Sequence, residues 1–207
     1  MNEIEKVSTL FSREQLFQAY LDVEVALAKA QAKQNIIPEA AAHTISRMAQ
    51  ISNLNMDNIN QSLDETGHPL VPLIWELDRV CGPDAGGYIH WGATTQNITQ
   101  TGKLLLVKQF HQVFLEKILK LLSVLSDLAL ETKHYALPGR THGQHAVPAT
   151  FGYKVAVWID EIIRHFHRFK NSEERVFVTM LGGGAGTMAS VGMEGLETQK
   201  LMAEELG

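Results

Sequence analysis

One long apolar stretch that begins near residue 95 constrains the fold more than any other part of the sequence. Its members recur at intervals of three and four: Leu104, Val107, His111, Phe114, Ile118, Leu121, Leu125 and Leu128. A sustained seven-residue repeat is typical of the seam of a left-handed helical bundle. The pattern predicts a single helix over about 95–135, which at about 1.5 Å per residue is roughly 60 Å long.

The same helix carries apolar side chains outside that seam. They are Leu105, Leu106, Phe110, Val113, Leu115, Leu119, Leu122 and Val124. A helix that is apolar on several sides must be covered on several sides. One further long helix, predicted over about 150–178, and a short one over 193–206 cannot supply all of that cover. We therefore expect cover both from other subunits and from further chain.

The N-terminal part of the sequence also has helical spacing. Ser12 followed by Gln15 resembles a capping box, and Pro38 is suited to the first turn of a helix. Four helices are predicted here, over about 12–35, 38–49, 55–66 and 69–82. Loops are predicted over 82–94, 137–150 and 181–192. The prediction is an all-α protein, with a small N-terminal helical domain, residues 1–94, followed by the first part of a long-helix bundle, residues 95–207.

The composition limits the partners and the compartment. The net charge is −5 without a basic cluster, so no nucleic-acid partner is expected. Cys81 is the single cysteine, which excludes an internal disulfide and fits a reducing compartment. The first ten residues lack the basic start and apolar run of a signal peptide, and no run of about 18 apolar residues is present. We therefore expect a cytoplasmic protein without a membrane partner.

The segment 86–102, GGYIHWGATTQNITQTG, concentrates polar groups where a loop meets the long helix. A histidine such as His90 titrates near neutral pH, and Thr94, Thr95 and Asn97 offer hydroxyl and amide groups. Either threonine is suited to cap the helix, whose first backbone N–H groups would then face an anion. The alternative is purely structural, with one threonine capping the helix and no ligand bound.

Patterns for a metal or a nucleotide cofactor are weak. The pairs His142/His145 and His165/His167 lack the spacing of known zinc motifs, so no metal site is predicted. The stretch GAGTMA at 184–189 fits a loose dinucleotide fingerprint, but no strand–helix–strand unit surrounds it. We interpret it as a turn between two helices and predict no cofactor.

Three loops or helix ends combine a histidine with threonine or small residues, and these histidines are His68, His90 and His142. Three stretches resemble the successive active-site segments of the fumarase/aspartase superfamily, namely HWGATTQNITQTG, GRTHGQHAVPATFGYKVAVW and LGGGAGTMASVG. The similarity is greatest to the branch of adenylosuccinate lyase and 3-carboxy-cis,cis-muconate cycloisomerase. Near the N-terminus, YLDVEVALAKAQ and IIPEAA resemble that branch too, so the resemblance covers nearly the whole chain.

The resemblance implies an assembly and a set of residue roles. Similar proteins are homotetramers in which long helices form a central bundle and three subunits build each active site. His142 matches the general acid that protonates the leaving nitrogen, and His68 matches its histidine partner. The residues that the resemblance implies for substrate binding are His90, Thr94, Thr95, Arg140, Thr141 and Gln144.

The implied function is a lyase that eliminates fumarate from a succinylated amine, adenylosuccinate-like, with a small anionic dicarboxylate as substrate. Two alternatives stay open: cycloisomerisation of a carboxymuconate, and a non-catalytic helical scaffold. Asn97 stands where the family usually has Asp, and VSTLFSREQL lacks the Arg-Tyr pair typical of adenylosuccinate lyases. His68, in contrast, favours the carbon–nitrogen lyases over the cycloisomerases.

The family's flexible loop, Gly-Ser-Ser-x-Met-Pro-x-Lys-x-Asn, is not found within these 207 residues. In similar proteins the serine of that loop removes the substrate proton. We therefore expect the 207 residues to correspond to an N-terminal portion of the family fold. We also expect that this portion, tested by itself, has no lyase activity.

Overall fold

The computed structural model describes residue 7 and residues 9–207. Most of the described chain is helical, which confirms the predicted fold class. The α-helices are α1 (Arg13–Lys33), α2 (Glu39–Met48), α3 (Met56–Thr66), α4 (Val71–Cys81), α5 (Thr95–Glu131), α6 (Phe151–Val176) and α7 (Gly195–Leu206). Short 3₁₀ turns lie at Ile51–Asn53, Gly86–Tyr88 and Gly192–Glu194. The sequence prediction about the first ten residues falls partly outside the described chain.

The ends of the N-terminal helices follow the capping signals in the sequence. Ser12 caps α1, because its hydroxyl accepts a hydrogen bond from the backbone of Gln15. Asn55 caps α3 in the same way, and Gly67 ends that helix in the left-handed conformation, with φ 61°. The fourth helix begins at Val71 and not at Pro69, since the residues between them belong to a turn.

The long helix is confirmed as one uninterrupted element. α5 has 37 residues and is therefore about 55 Å long. Its first turns pack closely on α1 at Gly102, where an added Cβ would lie 2.6 Å from the ring of Tyr20 and 3.2 Å from the backbone of Ala19. Further along α5, Leu119 and Leu121 remain exposed in this single chain, as do other large apolar side chains.

The segment predicted as the loop 137–150 is instead a β-hairpin. Its strands are β1 (Ala136–Thr141) and β2 (Gln144–Thr150), which pair antiparallel. Two prolines, Pro138 and Pro148, face each other across the ladder. Because proline cannot donate to a strand ladder, the two prolines argue against strands in the sequence. They are tolerated in this two-stranded ribbon, where each strand has a free edge.

The backbone divides into two compact units. The first contains the chain up to Lys108 together with Phe177–Gly207, and the second contains Gln109–Val176. The core of the first unit is built mainly from α1 to α4, with these side chains among its most deeply buried: Leu21, Leu27, Ile45, Ile59, Leu73, Leu77 and Met202. The predicted domains, residues 1–94 and 95–207, stay a prediction. Among the described helices, none is long and apolar enough to span a membrane.

The second unit contains the hairpin, most of α5 and α6. His111 of α5 is buried, and its Nε2 lies 2.9 Å from a carboxylate oxygen of Glu173 on α6. The rings of Phe114 and Phe169 meet edge-on beside this pair, with centroids 4.9 Å apart. The polar pair and the aromatic contact together hold α5 against α6.

Candidate active site

The ring of His68 accepts hydrogen bonds at the N-terminus of α4, two residues before the N-cap residue Leu70. Its Nδ1 accepts hydrogen bonds from the backbone nitrogens of Leu70 and Val71, at 3.2 and 3.0 Å. Its own backbone N–H donates to the hydroxyl of Thr66, at 3.2 Å. These three contacts fix both the backbone and the ring of His68. They also satisfy the backbone N–H of Val71, the first residue of α4.

The capping geometry determines the tautomer of His68. An Nδ1 atom that accepts backbone N–H groups cannot carry a proton of its own, so the ring proton lies on Nε2. That Nε2 lies 3.5 Å from the hydroxyl oxygen of Thr95, the first residue of α5. The pair therefore places an N–H donor beside a hydroxyl group at the N-terminus of the long helix, where the helix dipole also favours anions.

His90 is held by a buried carboxylate. Its Nδ1 lies 2.6 Å from one oxygen of Glu24, and its backbone N–H donates to the other oxygen at 3.0 Å. Glu24 is only 1% exposed. Burial by itself lowers the pKa of His90, but the hydrogen bond and the charge of Glu24 outweigh burial and leave this pKa raised. The structure thus favours a cationic ring at His90.

Asn97 joins two of the three motif segments. Its side-chain oxygen accepts hydrogen bonds from the backbone of Thr94 at 3.0 Å and of Gly183 at 3.2 Å, with Gly182 at 3.4 Å. The bond to Thr94 is the returning half of a capping box, so a side-chain cap of α5 comes from Asn97. The sequence predicts this cap at Thr94 or Thr95 instead. One feature of the sequence indicates this capping role. Asn97 has a short amide side chain and lies two residues after the first residue of the long helix.

The glycine-rich loop 182–192 lies between α6 and α7, and the described residues directly before it, 177–181, form no strand. This agrees with its interpretation as a turn between helices. The hydroxyl of Ser190 donates to the carbonyl of Gly92 at 2.8 Å. This is a second hydrogen-bonded contact of the loop with the HWGATTQNITQTG segment, besides the bonds to Asn97. Gly183 adopts φ 68°, and an added Cβ there would lie 2.8 Å from the hydroxyl of Ser190.

The remaining candidate residues lie on the hairpin of the second unit. His142 and Gly143 form its two-residue turn with φ values of 50° and 78°, which fits a type I′ hairpin turn. Thr141 and Gln144 pair across the base of this turn, and all four residues are exposed. A left-handed φ is uncommon for a residue other than glycine, so the turn holds His142 in a specified and strained position.

Arg140 lies two positions before that turn on β1. Its guanidinium donates to Nε2 of His145 on β2, at 3.3 Å. The structure thus brings His68 and Thr95 together in the first unit, and Arg140, His142 and their neighbours together on one hairpin. The pairing of His142 with His68 stays a prediction. Among the described residues, no cluster of three or more His, Cys, Asp or Glu side chains is arranged to hold a metal ion.

Several known proteins are similar to this chain in sequence and in fold. The model of one protein family, described as "Lyase", matches residues 2–207. Adenylosuccinate lyase of Methanocaldococcus jannaschii is 40% identical over 198 residues, which cover 96% of this chain and 43% of that protein. N-acetyl-S-(2-succino)cysteine lyase of Dickeya dadantii is 38% identical, covering 98% of this chain and 44% of that protein.

Two solved structures agree with these relatives. Fumarate lyase from Mesorhizobium sp. BNC1 superposes with a TM-score of 0.92 at 39% identity, covering 98% of this chain and 48% of that one. The β-carboxy-cis,cis-muconate cycloisomerase from Acinetobacter calcoaceticus sp. ADP1 gives a TM-score of 0.91 at 30% identity, with the same two coverages.

The helical fold and the three motif segments define a chain of the lyase class. It belongs to the fumarase/aspartase superfamily, in the branch that contains the adenylosuccinate lyases and the carboxymuconate cycloisomerases. The chain spans less than half the length of the relatives described above.

Proposed function

We propose that this chain works in a lyase that eliminates fumarate from a succinylated amine of the adenylosuccinate type. The observation that carries the proposal is the paired placement of His68 and Thr95 at the start of α5. There an Nε2–H donor of fixed tautomer and a hydroxyl group lie 3.5 Å apart. Two such neutral donors at a helix N-terminus suit one carboxylate of a dicarboxylate substrate. The 40% identity to an adenylosuccinate lyase supports the same assignment.

The reaction needs three kinds of group. A base removes the proton beside a carboxylate, hydrogen-bond donors stabilise the resulting aci-carboxylate, and an acid protonates the nitrogen as the carbon–nitrogen bond breaks. The electron pair of the broken C–H bond forms the double bond of fumarate, and the amine leaves with the proton from the acid. We assign the acid to His142, with His68 as its partner, and assign no base within residues 1–207.

The anionic groups of the substrate need several donors. We assign these to His90, Thr94 and Thr95 in the first unit and to Arg140, Thr141 and Gln144 on the hairpin, and the Nε2–H of His68 adds a donor beside Thr95. His90 supplies a cation whose charge the buried Glu24 favours, and Arg140 supplies a second. These residues therefore offer a small dicarboxylate both positive charge and hydrogen-bond donors. The assigned chemistry needs no cofactor.

The proposed protein is a homotetramer whose active sites combine residues from three subunits, and it acts in purine metabolism in the cytoplasm. The large apolar side chains that α5 exposes in the single chain support such an assembly. Association through these side chains would also give each active site access to a hairpin from another subunit.

Two other substrate classes are favoured by particular relatives. A second relative named N-acetyl-S-(2-succino)cysteine lyase, from Enterococcus italicus, is 37% identical, so a succinylated thiol is one candidate. A 3-carboxy-cis,cis-muconate lactonizing enzyme from Pseudomonas putida has a TM-score of 0.91 at 30% identity, so a carboxymuconate is another. We rank the succinylated amine first because the adenylosuccinate lyase of Methanocaldococcus jannaschii is 40% identical to this chain.

The test is a parallel assay of three substrates with the protein as its gene encodes it, so that any segment beyond residues 1–207 is present. Adenylosuccinate, N-acetyl-S-(2-succino)cysteine and 3-carboxy-cis,cis-muconate are supplied in turn, and fumarate or lactone is measured by chromatography. We expect fumarate from adenylosuccinate, and a kcat about two to four orders of magnitude lower for His142→Gln. Turnover of carboxymuconate alone would favour the cycloisomerase, and no turnover of any substrate would favour a scaffold.

A further inference from the structure

Glu24 is an isolated carboxylate in the buried face of an otherwise apolar stretch of α1. Its neighbours Val23, Ala26, Leu27 and Ala28 are all buried hydrophobic residues. A buried carboxylate is costly unless a charged partner and hydrogen bonds compensate for its lost hydration. Both of its oxygens are satisfied by a single residue 66 positions away, His90. Any role of Glu24 therefore acts through its two hydrogen bonds to His90.

The two contacts of Glu24 fix His90 in different ways. The bond to the backbone N–H holds a segment in which His90 adopts φ 60°, a conformation that is uncommon outside glycine. The bond at Nδ1 fixes the ring, since a proton must lie between that nitrogen and the carboxylate. Nε2 is then the nitrogen left for a ligand, on a side chain that keeps 23% of its surface exposed.

A second polar side chain on α1 holds the same segment without touching the ring. Gln31 is completely buried, and its amide donates to the backbone carbonyl of Trp91 at 2.7 Å. It lies two helical turns after Glu24, on the same face of α1. The two side chains thus hold consecutive residues of the motif segment, but only Glu24 brings a charge to the histidine.

We propose that Glu24 is a positioning residue for substrate binding: it sets the conformation, tautomer and positive charge of His90, so that Nε2–H donates to a carboxylate or phosphate of the substrate. This inference rests on the proposed function, because it takes His90 as part of the anion site. Burial opposes a cationic ring at His90, but the hydrogen bond and charge of Glu24 raise its pKa overall. Glu24 is the charged group responsible for that rise.

The first measurement is made on the parent protein, and a variant serves only to assign the signal. Histidine-selective ¹⁵N labelling reports which ring nitrogen of His90 carries the proton in the neutral form, with His90→Asn used to assign the signal. We expect the proton on Nδ1 for His90 and, in the same spectrum, on Nε2 for His68. A neutral His90 that carries its proton on Nε2 would overturn the inference.

The second measurement compares two variants of α1. Glu24→Gln keeps the shape and removes the charge, and we expect the titration midpoint of His90 to fall by about one pH unit or more. KM for the succinylated substrate should rise about tenfold, with kcat within about threefold of the parent value. Gln31→Met is the matched control, since it loosens the same segment but should leave the His90 midpoint within about 0.3 pH unit.

The outcomes separate this inference from the proposed function. An unchanged His90 midpoint in Glu24→Gln would overturn the inference, even if the protein turns over adenylosuccinate. A lowered midpoint with unchanged KM would overturn the link to the substrate, while the lyase assignment stands. If the parent protein releases no fumarate, the proposed function fails, and the His90 spectrum alone still decides whether Glu24 sets its charge and tautomer.

Discussion

The side-chain oxygen of Asn97 lies 3.2 Å from the backbone nitrogen of Gly183, although the two residues are 86 positions apart in the sequence. The same oxygen accepts from the backbone of Thr94, so one amide group fixes the start of α5 and the glycine-rich loop together. Asn97 is 8% exposed, which leaves little water to replace these bonds. Two of the motif segments that carry the family resemblance therefore meet at this residue.

Replacing Asn97 tests how much that junction contributes. Asn97→Ala removes an acceptor shared by several N–H groups, and we expect the free energy of unfolding to fall by about 2–3 kcal/mol. Asn97→Asp keeps an acceptor at the same place, so its stability should stay within about 1 kcal/mol of the parent. Urea denaturation measures both. An Asn97→Ala protein as stable as the parent would show that the junction does not stabilise the fold.

His68 has two roles that substitution can separate. Asparagine at this position can cap α4 with its side-chain oxygen but lacks the Nε2–H donor, whereas alanine lacks both. We expect His68→Ala to lose about 1 kcal/mol of stability and His68→Asn to lose less than half of that. Both should lower fumarate release about a hundredfold or more. Equal activity of parent and His68→Asn would show that the ring only caps the helix.

Glu76 makes the stability depend on pH in the acid range. Its carboxylate binds the guanidinium of Arg79 at 2.6 Å, and accepts from the backbone of Asn55 at 2.9 Å and the amide of Asn58 at 3.4 Å. The bond to Arg79 is the main cause that holds the pKa of Glu76 below its usual range. A carboxylate with a lowered pKa contributes its stability above the pKa of the unfolded chain, about 4.3, and loses it as the pH falls through the folded value.

We therefore expect Glu76→Gln to be less stable than the parent by about 1–2 kcal/mol at pH 7. The difference should shrink as the pH falls below about 4, because the parent then loses its own carboxylate. Thermal unfolding at several pH values measures this. Glu65→Gln is the control, since Glu65 is exposed on α3. A deficit of Glu76→Gln that is the same at pH 7 and pH 3 would contradict the assignment.

Substitution of Leu121 on α5 tests the proposed homotetramer. Leu121 is 46% exposed in the single chain, so glutamate there should leave the fold intact and place a charge in the proposed interface. We expect sedimentation velocity to show smaller species for Leu121→Glu. Ser123→Glu adds the same charge at another exposed position of α5, outside the apolar seam, and should associate like the parent. A parent protein that sediments as a compact monomer would contradict the proposed tetramer.

Local sequence signals predicted the helices well, because each signal acts within a few residues. The cap at Ser12, the terminating Gly67 and the repeat of α5 each appear in the structure at or near the predicted place. The hairpin was missed because Pro138 and Pro148 disfavour strands and its apolar alternation is short. The start of α4 was misplaced by two residues because the capping group is a histidine ring, which is not a usual cap.

The candidate site was only partly visible in the sequence. The histidines and threonines stood out because they cluster in loops and at helix ends. Glu24 did not stand out, and the role of Asn97 as a junction was not predicted, because their partners lie 66 and 86 positions away and only the folded chain brings them together. A single glutamate inside an apolar helical repeat was the one local sign that α1 carries more than core residues.

The most direct test of the site is a crystal structure of the protein as its gene encodes it, carrying His142→Gln and grown with adenylosuccinate. This variant lacks the assigned acid, so the substrate should remain intact in the site. We expect a carboxylate oxygen of the succinyl group within about 3.2 Å of both Nε2 of His68 and the hydroxyl of Thr95. A succinyl group bound away from both residues would contradict it.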